Sequence, residues 1–284
     1  MATVFEGDSY KTPEKVKRAL REYLLLGSRW SPYSLFIKVI LKYHGLAVKG
    51  LYTDDVWADS SREVMGYLES CGARFDIRGM DNVKSLPGPM VFVSNHMGTM
   101  ETTILPGLIC PIKPVTYVVK ETLVHVPIWG PIMRSRDPIT VTRKDPRRDL
   151  EAVLTGGSER LAKGISIIIF PRGTRTEVFD RTKFNSLGIK LAAKAAVPIV
   201  PVVVKTDYWS NGALLKGFGP VHRDRTVYIE FGKPMMVEGR GKAQHEACLD
   251  FIEDRLRRWG SKVVDPKLTN AAPIQQTPRS LSDL

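Results

Sequence analysis

Short apolar runs that alternate with helical patterns constrain this chain more than anything else in it. Pro89-Met90-Val91-Phe92-Val93, Gly164-Ile165-Ser166-Ile167-Ile168-Ile169-Phe170 and Val197-Pro198-Ile199-Val200-Pro201-Val202 are bounded by Gly and Pro and rich in β-branched residues. They read as buried strands. Thr226 to Gly232 reads as another strand, ended by Pro234, and Arg74 to Gly79 alternates like a half-exposed one. Between them lie helical patterns. A linker from Tyr52 leads into a short amphipathic helix ending near Cys71, and a further helix closes at Glu159 to Lys163. Ile189 to Ala196 is a short alanine-rich helix. Residues 242–259 place Cys248, Phe251, Ile252 and Leu256 on one buried face. Strands alternating with helices predict an α/β fold, a mainly parallel sheet flanked by helices on both faces.

The N-terminal part differs. Thr12-Pro13-Glu14 has the form of a helix cap with proline at the first helical position. The helix it would open sets Val16, Leu20, Tyr23, Leu24 and Gly27 on one stripe, opposite Lys15, Lys17, Arg18 and Arg21. After Ser31-Pro32 a second pattern carries Leu35, Phe36, Ile37, Val39, Ile40, Leu41 and Tyr43, broken by Lys38 and Lys42. Apolar residues with interspersed lysines, beside Trp30 and Tyr33, suit a helix lying in a membrane interface. Two ordinary helices packed on the core would show the same periodicity. No apolar run approaches the ~18–20 residues needed to span a bilayer, and the polar start does not read as a secretory signal. Net charge is +12, from 42 basic and 30 acidic residues. Such a surface attracts anionic lipid, nucleic acid, acidic proteins or phosphorylated substrates. Nucleic-acid recognition accounts for the charge but for no motif. The three cysteines have no paired spacing and the five histidines are scattered, so neither a disulfide framework nor a metal site is expected.

Two segments carry chemistry. Ser94-Asn95-His96-Met97-Gly98-Thr99-Met100-Glu101 follows the first apolar run, and Pro171-Arg172-Gly173-Thr174-Arg175-Thr176 follows the second. A histidine with a carboxylate five residues on can activate an alcohol. In a regular helix, however, positions five apart diverge by about 140°. The pair meets only if His96 lies in the loop before the helix that carries Glu101. The later turn presents two guanidinium groups and two hydroxyls at the carboxyl end of a strand, where open α/β sheets bind ligands. Arginine forks suit phosphate. Taken alone, these segments also fit a capping histidine and a basic surface turn.

Together they resemble the glycerolipid acyltransferases. That family carries an N-H-x4-D block, matched by Asn95 to Glu101, and an F-P-E-G-T-R-S block, matched by Phe170 to Thr176. Lys120-Glu121-Thr122-Leu123-Val124-His125-Val126-Pro127-Ile128-Trp129-Gly130 is similar to its K-x-E-L-x-x-x-P-x-x-G stretch. Thr140-Val141-Thr142-Arg143 stands at its arginine-terminated strand. Lys183 to Gly188 and Val197 to Val202 resemble its F-K-x-G and V-P-I-V-P-V elements. The ordered set spans roughly residues 85–235. Two positions depart from it. Glu101 replaces aspartate, and Arg172 replaces a glutamate associated with the acceptor's polyol, so that an additional anionic group is favoured there.

The resemblance implies acyl transfer from a thioester, acyl-CoA or acyl carrier protein, with no cofactor beyond that co-substrate. The acceptor is a lysophospholipid hydroxyl, with 1-acyl-sn-glycerol-3-phosphate favoured and phosphatidic acid the product. Glycerol-3-phosphate, another lysolipid or a lipid A-type saccharide stay open as acceptors, and a non-catalytic lipid-binding module remains the alternative class. His96 is the expected base and Glu101 its orienting group. Arg143, Arg172, Gly173, Thr174, Arg175 and Lys183 are expected to hold the phosphate, while His125, Arg147 and Arg148 are read as structural or solvated. No G-x-S-x-G elbow is present, so the alcohol attacks directly without an acyl-enzyme. Backbone amides near Gly98 or Gly173 are the candidate oxyanion donors. The expected organisation is a two-helix membrane-interface motif in residues 1–48, an acyltransferase domain in 49–264 and a flexible tail in 265–284. The protein is expected on the cytoplasmic face of a membrane, against phospholipid and lysophospholipid.

Overall fold

The computed structural model describes residues 7–213 and 217–265; the expected tail lies outside them except for Asp265. A two-residue strand β1 (Tyr10–Lys11) precedes a short helix α1 (Leu20–Leu24), the long helix α2 (Trp30–Val48) and α3 (Asp54–Ser70). Strand β2 (Phe75–Arg78) and helix α4 (Met80–Lys84) follow, then β3 (Val91–Ser94), α5 (Met100–Ile109) and β4 (Val115–Lys120). Helix α6 (Trp129–Arg134), β5 (Ile139–Val141), α7 (Pro146–Ala162), β6 (Ser166–Ile169) and α8 (Leu187–Ala195) come next. The last elements are β7 (Ile199–Lys205), β8 (Val227–Phe231) and α9 (Lys242–Arg258).

The strands form one sheet in the order β1-β2-β8-β7-β3-β6-β4-β5. Pairing is parallel except between β1 and β2 and between β7 and β8. Each central strand is apolar on both faces because both are covered. On β3, Phe92 joins one hydrophobic cluster while Val91 and Val93 join the other. On β6, Ile168 is separated in the same way from Ile167 and Ile169. Residues of α2, α3 and α5 fill the first cluster, and residues of α7, α8 and α9 fill the second. This double burial explains the uninterrupted apolar runs.

Three expectations are corrected. β2 is buried at three of its four positions rather than half-exposed, because Phe75 and Ile77 enter the core while Lys11 and Arg78 cover Asp76 on the other face. The α3 helix runs 17 residues, longer than expected, with Thr53 capping it. The first N-terminal helix does not begin at Thr12. That hydroxyl donates to Glu69 and accepts from the Phe75 amide, holding the chain beside β2. Helix forms only over Leu20–Leu24, and the break before α2 falls at Leu26 and Gly27, both with positive φ. Ser31 and Pro32 instead sit in the first turn of α2, where proline costs no hydrogen bond. Among the described residues no helix is long and apolar enough to cross a membrane.

Candidate active site

Strands β3, β6, β4 and β5 are adjacent and parallel, so their carboxyl ends share one edge of the sheet. His96 follows β3, Lys120 ends β4, Arg143 follows β5 and Arg172 to Arg175 follow β6. Segments far apart in sequence therefore converge by register alone. Asn95 keeps the first of them in place, because its buried amide exchanges hydrogen bonds with the backbone of Val204 on β7 at 2.7 and 2.9 Å. The amide of Thr176 donates to the His96 carbonyl at 2.9 Å, tying the arginine turn to the histidine loop.

The pair five residues apart does meet, because α5 begins only at Met100 and His96 lies in the preceding loop. His96 Nδ1 stands 2.8 Å from Glu101 Oε1. The same oxygen accepts the amides of Met97 and Gly98, each at 2.7 Å, and Oε2 accepts the Thr206 hydroxyl at 2.6 Å. Glu101 is fully buried. Burial alone would raise its pKa, but the hydrogen bonds from His96, Thr206 and Gly98, with the His96 charge, hold the carboxyl below its ordinary value. The imidazole lies against the Phe170 ring, with centroids 4.3 Å apart and planes 20° apart. Nδ1 is thereby committed to the carboxylate, and Nε2 is the nitrogen left to accept a proton.

His96 lines a cavity of about 1050 Å³, at the upper end of the ~300–1,000 Å³ usual for small-molecule sites. Arg143, Arg172, Gly173, Thr174 and Arg175 line it too. Arg143 has left-handed backbone, φ 60°, which costs a non-glycine residue on the order of 1 kcal/mol. Asp149 in the first turn of α7 sustains it by accepting the amides of Thr142 and Arg143 at 2.7 Å. The Arg143 guanidinium carbon then lies 3.9 Å from where a Cβ on Gly173 would stand. Burial lowers the pKa of both Arg143 and Arg175, and the charge of Arg143 lowers that of Arg175 further. Arginine nevertheless stays protonated. Among the described residues neither Arg143, Arg172 nor Arg175 has an ion pair, and the carboxylates of this region, Glu101 and Asp149, are spent on His96 and on backbone amides. Glu101 and Asp149 temper the charge of Arg175 and Arg143 without pairing directly with them, and the three guanidinium groups together still suit an anion.

One wall of the lining is apolar. Phe36, Ile37, Ile40 and Leu41 of α2 face Leu123, Val126, Ile128, Trp129 and Met133. Ile37, Leu41, Val126 and Ile128 are also substantially exposed, so this wall continues onto the surface. Leu20, 72% exposed, with Tyr23, Leu24 and Leu26, adds exposed apolar surface in and just after α1.

Lys183 does not join the site. It is exposed at the end of a 3-10 turn, outside the cavity lining. Lys190, one turn into α8, lines the cavity instead, with Asn185 and Ser186. His125 is exposed, and Arg147 and Arg148 begin α7 with their amides capped by Asp145. Of the amides near the candidate oxyanion positions, that of Gly98 serves Glu101 and that of Gly173 donates to Phe170 at 2.8 Å. Sequence reasoning missed Thr206 and Phe170. Thr206 follows the V-P-I-V-P-V strand directly, and that position was the available signal.

A base fixed by a buried carboxylate on the carboxyl edge of an α/β sheet, beside a cationic turn and an apolar wall, is the equipment an O-acyltransferase needs. Residues 74–205 match the acyltransferase family model, and over that stretch the chain is similar to the family. The 1-acyl-sn-glycerol-3-phosphate acyltransferase of Pseudomonas aeruginosa is 29% identical over 266 residues, 91% of this chain and 93% of that protein. The Escherichia coli protein of the same name is 23% identical over 182 residues, 63% of this chain and 71% of its own. Among solved structures, the 1-acyl-sn-glycerophosphate acyltransferase PlsC of Thermotoga maritima shares the fold, with a TM-score of 0.65 at 18% identity. That likeness covers 87% of this chain and all of the other.

Proposed function

We propose that this chain transfers the acyl group of an acyl thioester to the free hydroxyl of 1-acyl-sn-glycerol-3-phosphate, giving phosphatidic acid. The observation that carries the reading is the single cavity in which His96, held by Glu101, meets Arg143, Arg172, Arg175 and an apolar wall. Its chemistry matches a substrate with one phosphate, one hydroxyl and a long hydrocarbon chain. The full-length relative in Pseudomonas aeruginosa bears the name of this activity.

His96 Nε2 takes the proton of the acceptor hydroxyl as its oxygen attacks the thioester carbonyl carbon. The carbonyl electron pair moves onto oxygen, then returns as the C–S bond breaks. The imidazolium gives its proton to the departing thiolate. Glu101 fixes the tautomer and stabilises the imidazolium, the role of the acid in a hydrolase triad. An acyl-enzyme is not required. Burial raises the pKa of all three thiols, that of Cys248 to about 12, so none is a ready nucleophile.

Arg143 and Arg175 would hold the acceptor phosphate, with Gly173 and Thr174 shaping the turn. Arg172 adds a charge beyond what one phosphate requires, which suits an acceptor or donor with a further anionic group. Acyl-CoA and acyl carrier protein both carry phosphate and are the co-substrates considered. The exposed apolar residues of α1 and α2 beside basic side chains support peripheral attachment to an anionic membrane face, where each cation contributes on the order of 1 kcal/mol. A matrix of donors and acceptors in mixed micelles tests the reading. Acylation of 1-acyl-sn-glycerol-3-phosphate above the other acceptors, abolished by His96→Ala, is expected; activity on none of them would refute it.

A further inference from the structure

Three donors converge on one oxygen of Glu101. His96 Nδ1 and the Met97 and Gly98 amides all meet Oε1, at 2.8, 2.7 and 2.7 Å. Held at that atom alone, a carboxylate can still pivot about its last side-chain torsion, which is broad for an sp³–sp² bond. Such a pivot turns the lone pairs of Oε1 away from Nδ1, and the imidazole loses the partner that selects its tautomer. What the far oxygen touches therefore decides whether the pair keeps one geometry.

Among the described residues a single group donates to Oε2, the Thr206 hydroxyl at 2.6 Å. Glu101 and Thr206 are both 0% exposed, so bulk water does not stand in for this bond, and a buried carboxylate oxygen without a donor is costly. Thr206 lies one residue past β7, and its place is fixed from both sides. Before it, the backbone of Val204 exchanges two hydrogen bonds with the Asn95 side chain. After it, the Trp209 amide closes a turn on the Thr206 carbonyl at 3.1 Å, and Asn211 Nδ2 donates to the Met97 carbonyl at 2.6 Å. The segment thus holds Asn95 and Met97, the two chain neighbours of His96, while its one hydroxyl in contact with Glu101 holds the carboxylate. Thr206 is not part of the cavity lining, so any effect on the reaction passes through Glu101 rather than through substrate.

We infer that Thr206 is a positioning residue of the active site, whose hydroxyl fixes the plane of the Glu101 carboxylate and, through it, the tautomer and orientation of His96. The inference rests on His96 serving as the base of the acyl transfer proposed above.

The test compares wild type, Thr206→Val and Thr206→Ser in two measurements. The first is lysolipid acylation with an acyl-CoA. Valine keeps the shape and removes the donor; it is expected to lower kcat about tenfold with the acceptor KM within about twofold. Serine, which keeps the hydroxyl, should retain most of the rate. The second is ¹⁵N NMR of the neutral imidazoles, with His96→Ala assigning the His96 signals, and it needs no substrate. Wild type and serine should carry the His96 proton on Nδ1, whereas valine should show the Nε2-protonated tautomer gaining population. Where the valine variant does not fold, Thr206→Cys takes its place, a thiol being a weak donor. A wild-type tautomer in the valine variant overturns the inference whatever the rate. So does an unchanged kcat, or serine as impaired as valine, or a raised acceptor KM at wild-type kcat, which would make Thr206 an acceptor contact. A wild type that acylates no lysolipid, with the tautomer difference intact, refutes the lysolipid reading and leaves the positioning role standing. Loss of both refutes both.

Discussion

Glu101 does more than orient one ring. Its four hydrogen bonds join the histidine, two loop amides and Thr206, so its charge and its reach are both used. Glu101→Gln keeps the size but removes the charge that stabilises the imidazolium. The expected result is a loss in kcat of about 10²–10⁴-fold with little change in acceptor KM, measured by steady-state kinetics. Arg175→Ala should act differently, because its role is binding. Removing one charge-assisted contact to phosphate weakens binding about 10–100-fold, read as a raised acceptor KM that a neutral acceptor does not share. The identity of these residues was legible in the sequence, but their partners were not. Thr206 lies 105 positions from Glu101 and becomes its neighbour only because β7 pairs with β3. Lys183 shows the converse, a basic residue in a matching segment that the local turn carries out of the cavity.

At the level of elements, α2 unites two roles that periodicity alone kept apart. One side is core: Tyr33 and Phe36 pack on Trp209 with ring centroids 5.0 and 4.9 Å apart. The other exposes Trp30, Ile37 and Leu41. The core-packed reading of the pattern holds for the first side, while the second leaves apolar residues exposed. Deleting residues 1–48 would therefore open the core rather than only release a membrane anchor. Phe36→Ala should destabilise the fold by about 3–5 kcal/mol, checked by urea denaturation. Replacing Leu20, Tyr23, Leu24 and Leu26 together by serine should leave that midpoint nearly unchanged. It should weaken sedimentation with anionic liposomes at least roughly tenfold; unaltered sedimentation would remove α1 from the membrane contact. The predicted helix from Thr12 failed for a physical reason, since its hydroxyl found better partners in Glu69 and the β2 backbone than in its own following turn.

For the whole molecule, several carboxylates are bound more tightly in ionised form by the fold than by water. The Arg78 fork lowers the pKa of Asp76. At Glu63, Glu101 and Asp149 burial pulls upward, but hydrogen bonds outweigh it and the net shift is downward. Each therefore adds stability that is complete above the unfolded value of roughly 4 and is lost as pH falls through the lower folded value. Urea midpoints should fall progressively below about pH 4; midpoints that held constant or rose there would contradict these assignments. Alternating apolar runs and amphipathic helices were enough to determine an α/β sheet covered on both faces, because burial and hydrogen bonding leave such a pattern few other solutions. The order of motifs carried the resemblance to the acyltransferases, which the match of residues 74–205 to that family model supports. Strand order, the antiparallel pairing of β8 with β7 and the fate of Lys183 were decided only in three dimensions. They depend on contacts between distant segments, and no local spacing along a chain encodes which strand lies beside which.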